Sequence, residues 1–195
     1  MIYTSTNTEF LCVEKLYHET VANAIESIQY NGFSNLFIFS NGGHSVVAEL
    51  GVQQLMPRRI TTIGGHSVGS AALDIFLCGI NRLAFSDSMF FFHEASYESD
   101  GRLIREFEAE LAVEIEKLTY RYQQSGHLLR RLDLLRRANE LTGRILARQT
   151  KLSYGRVREL MRGDGCQMDA REALFYGLVH EIIPCSYVDF DYDSI

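Results

Sequence analysis

The chain reads as an α/β domain built on a mostly parallel sheet. Three observations carry that expectation. Short segments of strand length (Phe10 to Val13, the continuous apolar run Leu36 to Phe39, and Ile60 to Ile63) alternate with stretches whose apolar residues recur at helical spacing. Glycine-containing turns separate the two kinds of segment. The whole amounts to 195 residues, 46% apolar and 23% charged, which is enough for one domain with a sizeable core.

Between Thr20 and Tyr30, Val21, Ala24, Ile25 and Ile28 fall on one helical face, and Asn31-Gly32 ends that helix. Leu36 to Phe39 runs into Ser40-Asn41-Gly42-Gly43, which turns the chain into a helix starting near Ser45. The order repeats as Ile60 to Ile63, Gly64-Gly65-His66-Ser67 and an apolar helix over Ala71 to Leu77. Gly-Gly-His-Ser thus occurs twice, and both copies are expected at strand-to-helix corners, where the carboxyl ends of parallel strands offer backbone groups to a ligand. Arg82 to Phe85 and Met89 to Phe92 add two strands around the turn Ser86-Asp87-Ser88.

From Arg102 to about Gln149 the chain becomes charged and is expected to be helical. Ile104, Phe107, Leu111, Ile115, Leu118 and Tyr122 form one apolar stripe, and after a break at Gln124-Ser125-Gly126 the series Leu128, Leu132, Leu135, Ala138, Leu141 and Ile145 continues it. Two such helices would each reach about 30 Å at ~1.5 Å per residue. That exceeds what so small a core covers, so the excess stripe is expected to pack on another subunit; a helical hairpin folded on its own sheet is the simpler alternative. A helix over Tyr154 to Met161, a loop over Arg162 to Cys166, a capping box from Asp169 to Glu172 opening a helix that Gly177 ends, and a closing strand over Leu178 to Ile183 complete the chain.

Composition excludes several tasks. The formal net charge is -6, so no positive field is available for a phosphate backbone, and nucleic acid is not an expected partner. No run reaches the roughly 18 uninterrupted apolar residues of a membrane span, and Met1 to Asn7 does not resemble a signal peptide. No membrane association is expected, and the cytoplasm is the expected location. Cys12, Cys78, Cys166 and Cys185 are far apart without a C-x-x-C pair and read as reduced core thiols. His44, His66, His93 and Glu94 show no H-E-x-x-H or comparable spacing, so neither a metal nor any other cofactor is expected.

Turning a serine into a nucleophile requires a base within hydrogen-bond reach, donors for the oxyanion and an element that projects the hydroxyl outward. Ser70 stands at the start of an apolar helix, after Gly69 and before the small residues Ala71-Ala72. His93 ends the apolar strand Met89 to Phe92. Alone, such a serine reads as a cap and such a histidine as a locally satisfied side chain; together they point to acyl transfer.

The stretch Gly65 to His93, taken with the ending Asp169-Ala170-Arg171-Glu172-Ala173-Leu174-Phe175-Tyr176-Gly177-Leu178-Val179, resembles the proteolytic subunit of the Clp protease and its phage-encoded relatives. The resemblance covers about Phe10 to Ile183. It implies a Clp-protease/crotonase-like fold, a repeated β-β-α superhelix with an extended helical handle. The single domain 1–195 would then have a head of residues 1–100 and 151–188 and a handle inserted at about 101–150. It also implies Ser70 as nucleophile, His93 as base, and Gly42 or Gly43 with Ala71 as oxyanion donors, since Ser40-Asn41-Gly42-Gly43 resembles the family's S-P-G-G loop. The family's acid position falls on Gly165; Asp164 precedes it, and a one-residue bulge between Gly163 and Gly165 would bring its carboxylate to His93. Asp169 is the neighbouring alternative, explained by capping, and Ser67 is a second candidate nucleophile.

The implied activity is that of a serine endopeptidase acting on peptides or unfolded proteins in a homo-oligomer assembled through helices 102–149. The chain begins close to its first core strand, so the N-terminal segment that lines the axial pore of Clp subunits is expected to be missing. An unfolding ATPase is therefore not an established part of the expectation. A Ser/Lys dyad is disfavoured because Lys15, Lys117 and Lys151 lie away from the glycine-serine corners. Two other readings compete: a crotonase-like acyl-coenzyme A enzyme, which needs two oxyanion donors but no Ser70–His93 pair, and a catalytically inactive scaffold.

Overall fold

The computed structural model describes residues 8–12, 16–98, 105–107, 111–113, 115–116, 126–163 and 165–184. Three strand-helix-strand units follow one another at its start, as the alternating apolar runs predict. They comprise β1 (Thr8–Cys12), α1 (His18–Tyr30), β2 (Asn35–Ser40), α2 (Ser45–Leu55), β3 (Thr61–Gly69), α3 (Ala71–Phe76) and β4 (Asn81–Phe85). The four strands lie parallel in the order β1-β2-β3-β4, and β9 (Glu181–Ile183) adds a parallel strand beside β4.

β3 serves two sets of partners. Thr61 to Gly64 pair with β4, whereas Ser67 to Gly69 pair with β5 (Met89–Phe92), and β2 follows the bend through a register shift between Ile38 and Ser40. β5 pairs antiparallel with β8 (Cys166–Asp169), so the α/β sheet is mixed and curled. Its curl brings the carboxyl ends of β2, β3 and β5 together.

The second Gly-Gly-His-Ser lies inside β3 and not at a corner, contrary to the sequence expectation. The reason is packing. A Cβ on Gly64 would stand 3.0 Å from the Phe90 ring, and one on Gly65 2.9 Å from the Phe37 ring and 3.0 Å from Phe39 Cβ. These glycines make room for aromatic rings against the sheet. The first copy does turn a corner, with Gly42 at φ +107°.

Alternation along β2 separates two apolar faces. Leu36 and Ile38 enter the main core with Val21, Ala24, Ala48, Val52, Ile75 and Phe76, beneath α1, α2 and α3. Phe37 joins Ile63, Leu83 and Phe85 in a smaller cluster. Each fully buried side chain of this size contributes roughly 1.5–3 kcal/mol.

The segment after β5 departs from the expected continuous helices. β6 (Ser96–Glu98) and β7 (Arg105–Phe107) form an antiparallel hairpin, so Phe107 belongs to a strand and not to a helical stripe. Ile104, Leu118 and Tyr122 lie outside the described residues. Residues 111–113 and 115–116 are helical, and α4 spans Gly126–Gln149; Gln124 and Ser125 of the predicted break lie outside the described residues. Leu132 and Leu135 of α4 pack on Leu111 and Ile115 of the same chain, while Ile145 and Leu146 reach the main core. Leu129 and Leu134 stay 50% exposed. α5 (Tyr154–Met161) follows, with Ser153 Oγ accepting the Arg156 N–H as its cap.

Cys166, expected in a loop, starts β8; Met168 is the one residue of that strand buried in the core. The capping box is as predicted: Asp169 Oδ1 accepts the N–H groups of Arg171 and Glu172, both at 2.8 Å, and Glu172 Oε2 accepts the Asp169 N–H at 3.3 Å. It opens α6 (Ala170–Phe175), which ends at Gly177 with φ +74°.

That ending feeds a buried arginine. Arg82 is 3% exposed and donates to the carbonyl oxygens of Gly79, Gln149, Gly177 and Leu178 at 2.7–3.1 Å. These are carbonyls at or just past the ends of α3, α4 and α6, where helices leave acceptors unpaired and concentrate negative potential. One guanidinium thus ties three helix ends to the sheet, and burial lowers its pKa only to about 10, so it stays charged at neutral pH. Among the described residues, no helix is long and apolar enough to cross a membrane, and Cys78 and Cys166 are free thiols.

Candidate active site

Ser70 occupies the junction between β3 and α3 with φ +51° and ψ −128°. Only Arg59 and Ser70 among the described non-glycine residues have positive φ. Conformations of this kind cost on the order of 1–3 kcal/mol and persist where surrounding structure enforces them. Here the Ser70 N–H donates to the Phe91 carbonyl at 2.8 Å, pinning the turn to β5, and its hydroxyl makes no capping bond to α3. A serine on a strained strand-to-helix corner with its hydroxyl free of the helix has the backbone design of a nucleophile elbow.

The glycine corner after β2 packs on this turn. A Cβ on Gly42 would lie 2.5 Å from Ser70 Cβ and 3.1 Å from the Ala71 nitrogen. Gly43 is wedged against Leu16, whose N–H donates to the Gly42 carbonyl at 2.6 Å. The Gly42 N–H is engaged by Ser40 Oγ at 3.2 Å. The N–H groups of Gly43 and Ala71 donate to no described residue. Of the two glycines named from the sequence, Gly43 therefore has the available donor, and the structure brings its corner to Ser70.

His93 follows the last residue of β5. Gly69 pairs with Phe91 in the last rung of the β3–β5 ladder, so Ser70 directly follows β3 and His93 directly follows β5 at the same end of two neighbouring parallel strands. The imidazole is half-buried and stacks on the Phe91 ring at 6.5 Å and 11°. Phe91 in turn covers Gly69, where a Cβ would fall 1.9 Å from the ring. No hydrogen bond joins Ser70 Oγ to the imidazole; His93 Nδ1 lies 2.7 Å from the Glu94 carbonyl oxygen.

Asp164 lies outside the described residues. Its neighbour Gly165 has φ +81°, and a Cβ there would stand 2.1 Å from the Phe92 carbonyl oxygen and 2.6 Å from His93 Cα. The Glu94 N–H donates to Met161 O at 2.6 Å, and Cys166 pairs with Phe92. His93 is thus bracketed by both ends of the α5–β8 loop.

The other candidates are occupied elsewhere. Ser67 sits within β3 and donates its hydroxyl to Asn41 Oδ1 at 2.6 Å. Asp169 is the cap of α6. Lys151 donates to the Phe175 carbonyl and lies over that ring. His66 pairs with Asp87 on the surface at 3.5 Å, and the described residues hold no cluster of three or more metal-ligating side chains.

Two polar residues next to the site carry no sequence signal of their role. Asn139 of α4, 1% exposed, accepts the Ala95 N–H at 2.7 Å. Asp74 of α3 is buried, bonded to the Thr142 hydroxyl at 2.8 Å through Oδ2 and unpartnered at Oδ1, and burial raises its pKa to about 7. Both sit at helix positions where an apolar residue is the usual occupant. An open groove of about 560 Å³ bordered by Glu49, Arg136, Arg137, Glu140, Arg144 and Arg158 includes none of the Ser70 cluster.

The chain matches no known family model, and no curated protein is similar to it.

Proposed function

We propose that this protein is a serine endopeptidase of the Clp-like type, with Ser70 as nucleophile and His93 as general base. The observation that carries the reading is the Ser70 backbone, held at φ +51° between β3 and α3 beside the Gly42-Gly43 corner. In the proposed mechanism His93 Nε2 takes the proton of Ser70 Oγ as the oxygen attacks the peptide carbonyl carbon. The developing oxyanion receives the N–H groups of Gly43 and Ala71, which have no other acceptor among the described residues. The imidazolium then protonates the leaving amine, and water releases the acyl group by the same route in reverse. Asp164 is the proposed acid beside the imidazolium, supported by the contact of Gly165 with His93.

The proposed substrates are peptides or unfolded proteins, and assembly would use the handle, where Leu129 and Leu134 of α4 remain half exposed. A crotonase-like acyl-coenzyme A enzyme would use the same two N–H groups but would leave the Ser70 conformation without a purpose. Turnover of a fluorogenic peptide library tests the proposal: Ser70→Ala should abolish it while the fold is kept. Equal turnover by Ser70→Ala would refute it.

A further inference from the structure

We infer that Asn139 is a positioning residue that fixes the protonation form of His93 through a single peptide plane. The inference rests on the reading of His93 as the base. A carbonyl oxygen only accepts hydrogen bonds, so the 2.7 Å contact from His93 Nδ1 to the Glu94 oxygen places the ring proton on Nδ1. That leaves the Nε2 lone pair for the Ser70 hydroxyl, the tautomer a general base needs.

The Glu94 carbonyl and the Ala95 N–H belong to the same planar peptide unit and point in opposite directions. The Ala95 N–H donates to Asn139 Oδ1 at 2.7 Å, so the carbonyl cannot swing away from His93 without breaking that bond. Asn139 Nδ2 reaches back to Glu94 Oε1 at 3.5 Å, and the Glu94 N–H is held by Met161 O at 2.6 Å. Asn139 is itself fixed by burial on the face of α4 that carries Leu135 and Gly143. A buried asparagine in an otherwise apolar stripe is costly unless its bonds are satisfied, and two of the bonds of Asn139 go to the residues that follow His93. The carboxylate of an acid is then not needed to choose the tautomer.

The test is the 15N spectrum of the His93 imidazole at a pH where the ring is neutral, assigned by its loss in His93→Gln. The wild-type protein should show a protonated Nδ1 and an unprotonated Nε2, and Asp164→Asn should show the same. Asn139→Leu, similar in size but without an acceptor, should shift the proton toward Nε2 and slow phosphonylation of Ser70 by a fluorophosphonate at least tenfold. Asn139→Asp, which keeps an acceptor for the Ala95 N–H, should restore the wild-type tautomer. A wild-type ring protonated on Nε2, or an unchanged tautomer in folded Asn139→Leu, overturns the inference. If Asn139→Leu does not fold, the wild-type and Asp164→Asn spectra decide it. The expected tautomer without any labelling of Ser70 would uphold the clamp and defeat the peptidase reading instead.

Discussion

The Cβ that Gly42 lacks would stand 2.5 Å from Cβ of Ser70 and 2.8 Å from the Gly69 carbonyl oxygen. Only hydrogen fits between the two corners, and φ of +107° at Gly42 also disfavours a side chain. Gly42→Ala should therefore push the corners apart, lowering stability by about 2 kcal/mol and slowing fluorophosphonate labelling of Ser70 at least tenfold. Denaturant melts and labelling rates on the same sample check both.

Two glycines flanking Asp164 should behave differently. A Cβ on Gly165 would collide with Phe92 O and His93 Cα, whereas one on Gly163, at φ +60°, meets nothing within 4 Å. Gly165→Ala should cost on the order of 3 kcal/mol and remove Ser70 reactivity by displacing His93. Gly163→Ala should cost about 1 kcal/mol and leave reactivity within a few-fold. Thermal melts of the two variants, followed by labelling, separate the effects.

Asp74 makes stability depend on pH. Burial raises its pKa from 3.8 to about 7, only partly offset by the Thr142 bond, so between those values the folded protein binds the extra proton. The stability contribution is complete below pH 3.8 and is lost as pH rises through about 7, on the order of 4 kcal/mol in all. Asp74→Asn should remove this slope, as read from urea midpoints between pH 5 and pH 8.

His180 contributes a slope of the opposite sign. Its Nε2 lies 2.7 Å from Arg82 Nη2 and its Nδ1 3.2 Å from the Arg82 backbone nitrogen, of which a neutral ring accepts at one and a protonated ring at neither, and burial together with the Arg82 charge lowers its pKa from 6.5. Stability from the neutral ring is present above pH 6.5 and is lost as pH falls through the lowered value. His180→Gln should flatten the acid limb of the urea-midpoint curve. Arg82→Lys, which loses the planar fork to four carbonyls, should cost on the order of 3 kcal/mol at any pH in this range.

The strand-helix alternation was legible because Leu36 to Phe39 of β2 is an uninterrupted apolar run and α1 has a clean helical period. The glycines of the second Gly-Gly-His-Ser misled because a glycine that admits an aromatic ring looks, in sequence, like one that permits a turn. Phe107 misled in the other direction: its spacing from Leu111 and Ile115 fits a helix, yet pairing with Ser96 puts it in a strand. β8 gave little signal because Met168 is its one buried core residue. Ser70 and His93 stand out as candidates by residue type at strand ends, whereas Gly42 and Gly43 entered as candidates through the resemblance of Ser40-Asn41-Gly42-Gly43 to the S-P-G-G loop. The φ of Ser70, the Asn139 clamp and the Arg82 hub could not be named from sequence, since each arises from contacts between segments far apart in the chain.

Labelling with a fluorophosphonate, mapped by peptide mass spectrometry, tests whether His93 activates Ser70. Stoichiometric phosphonylation of Ser70 is expected in the folded wild-type protein, and its loss in His93→Ala. A folded protein that remains unlabelled, or one labelled at Ser67 instead, would contradict that activation.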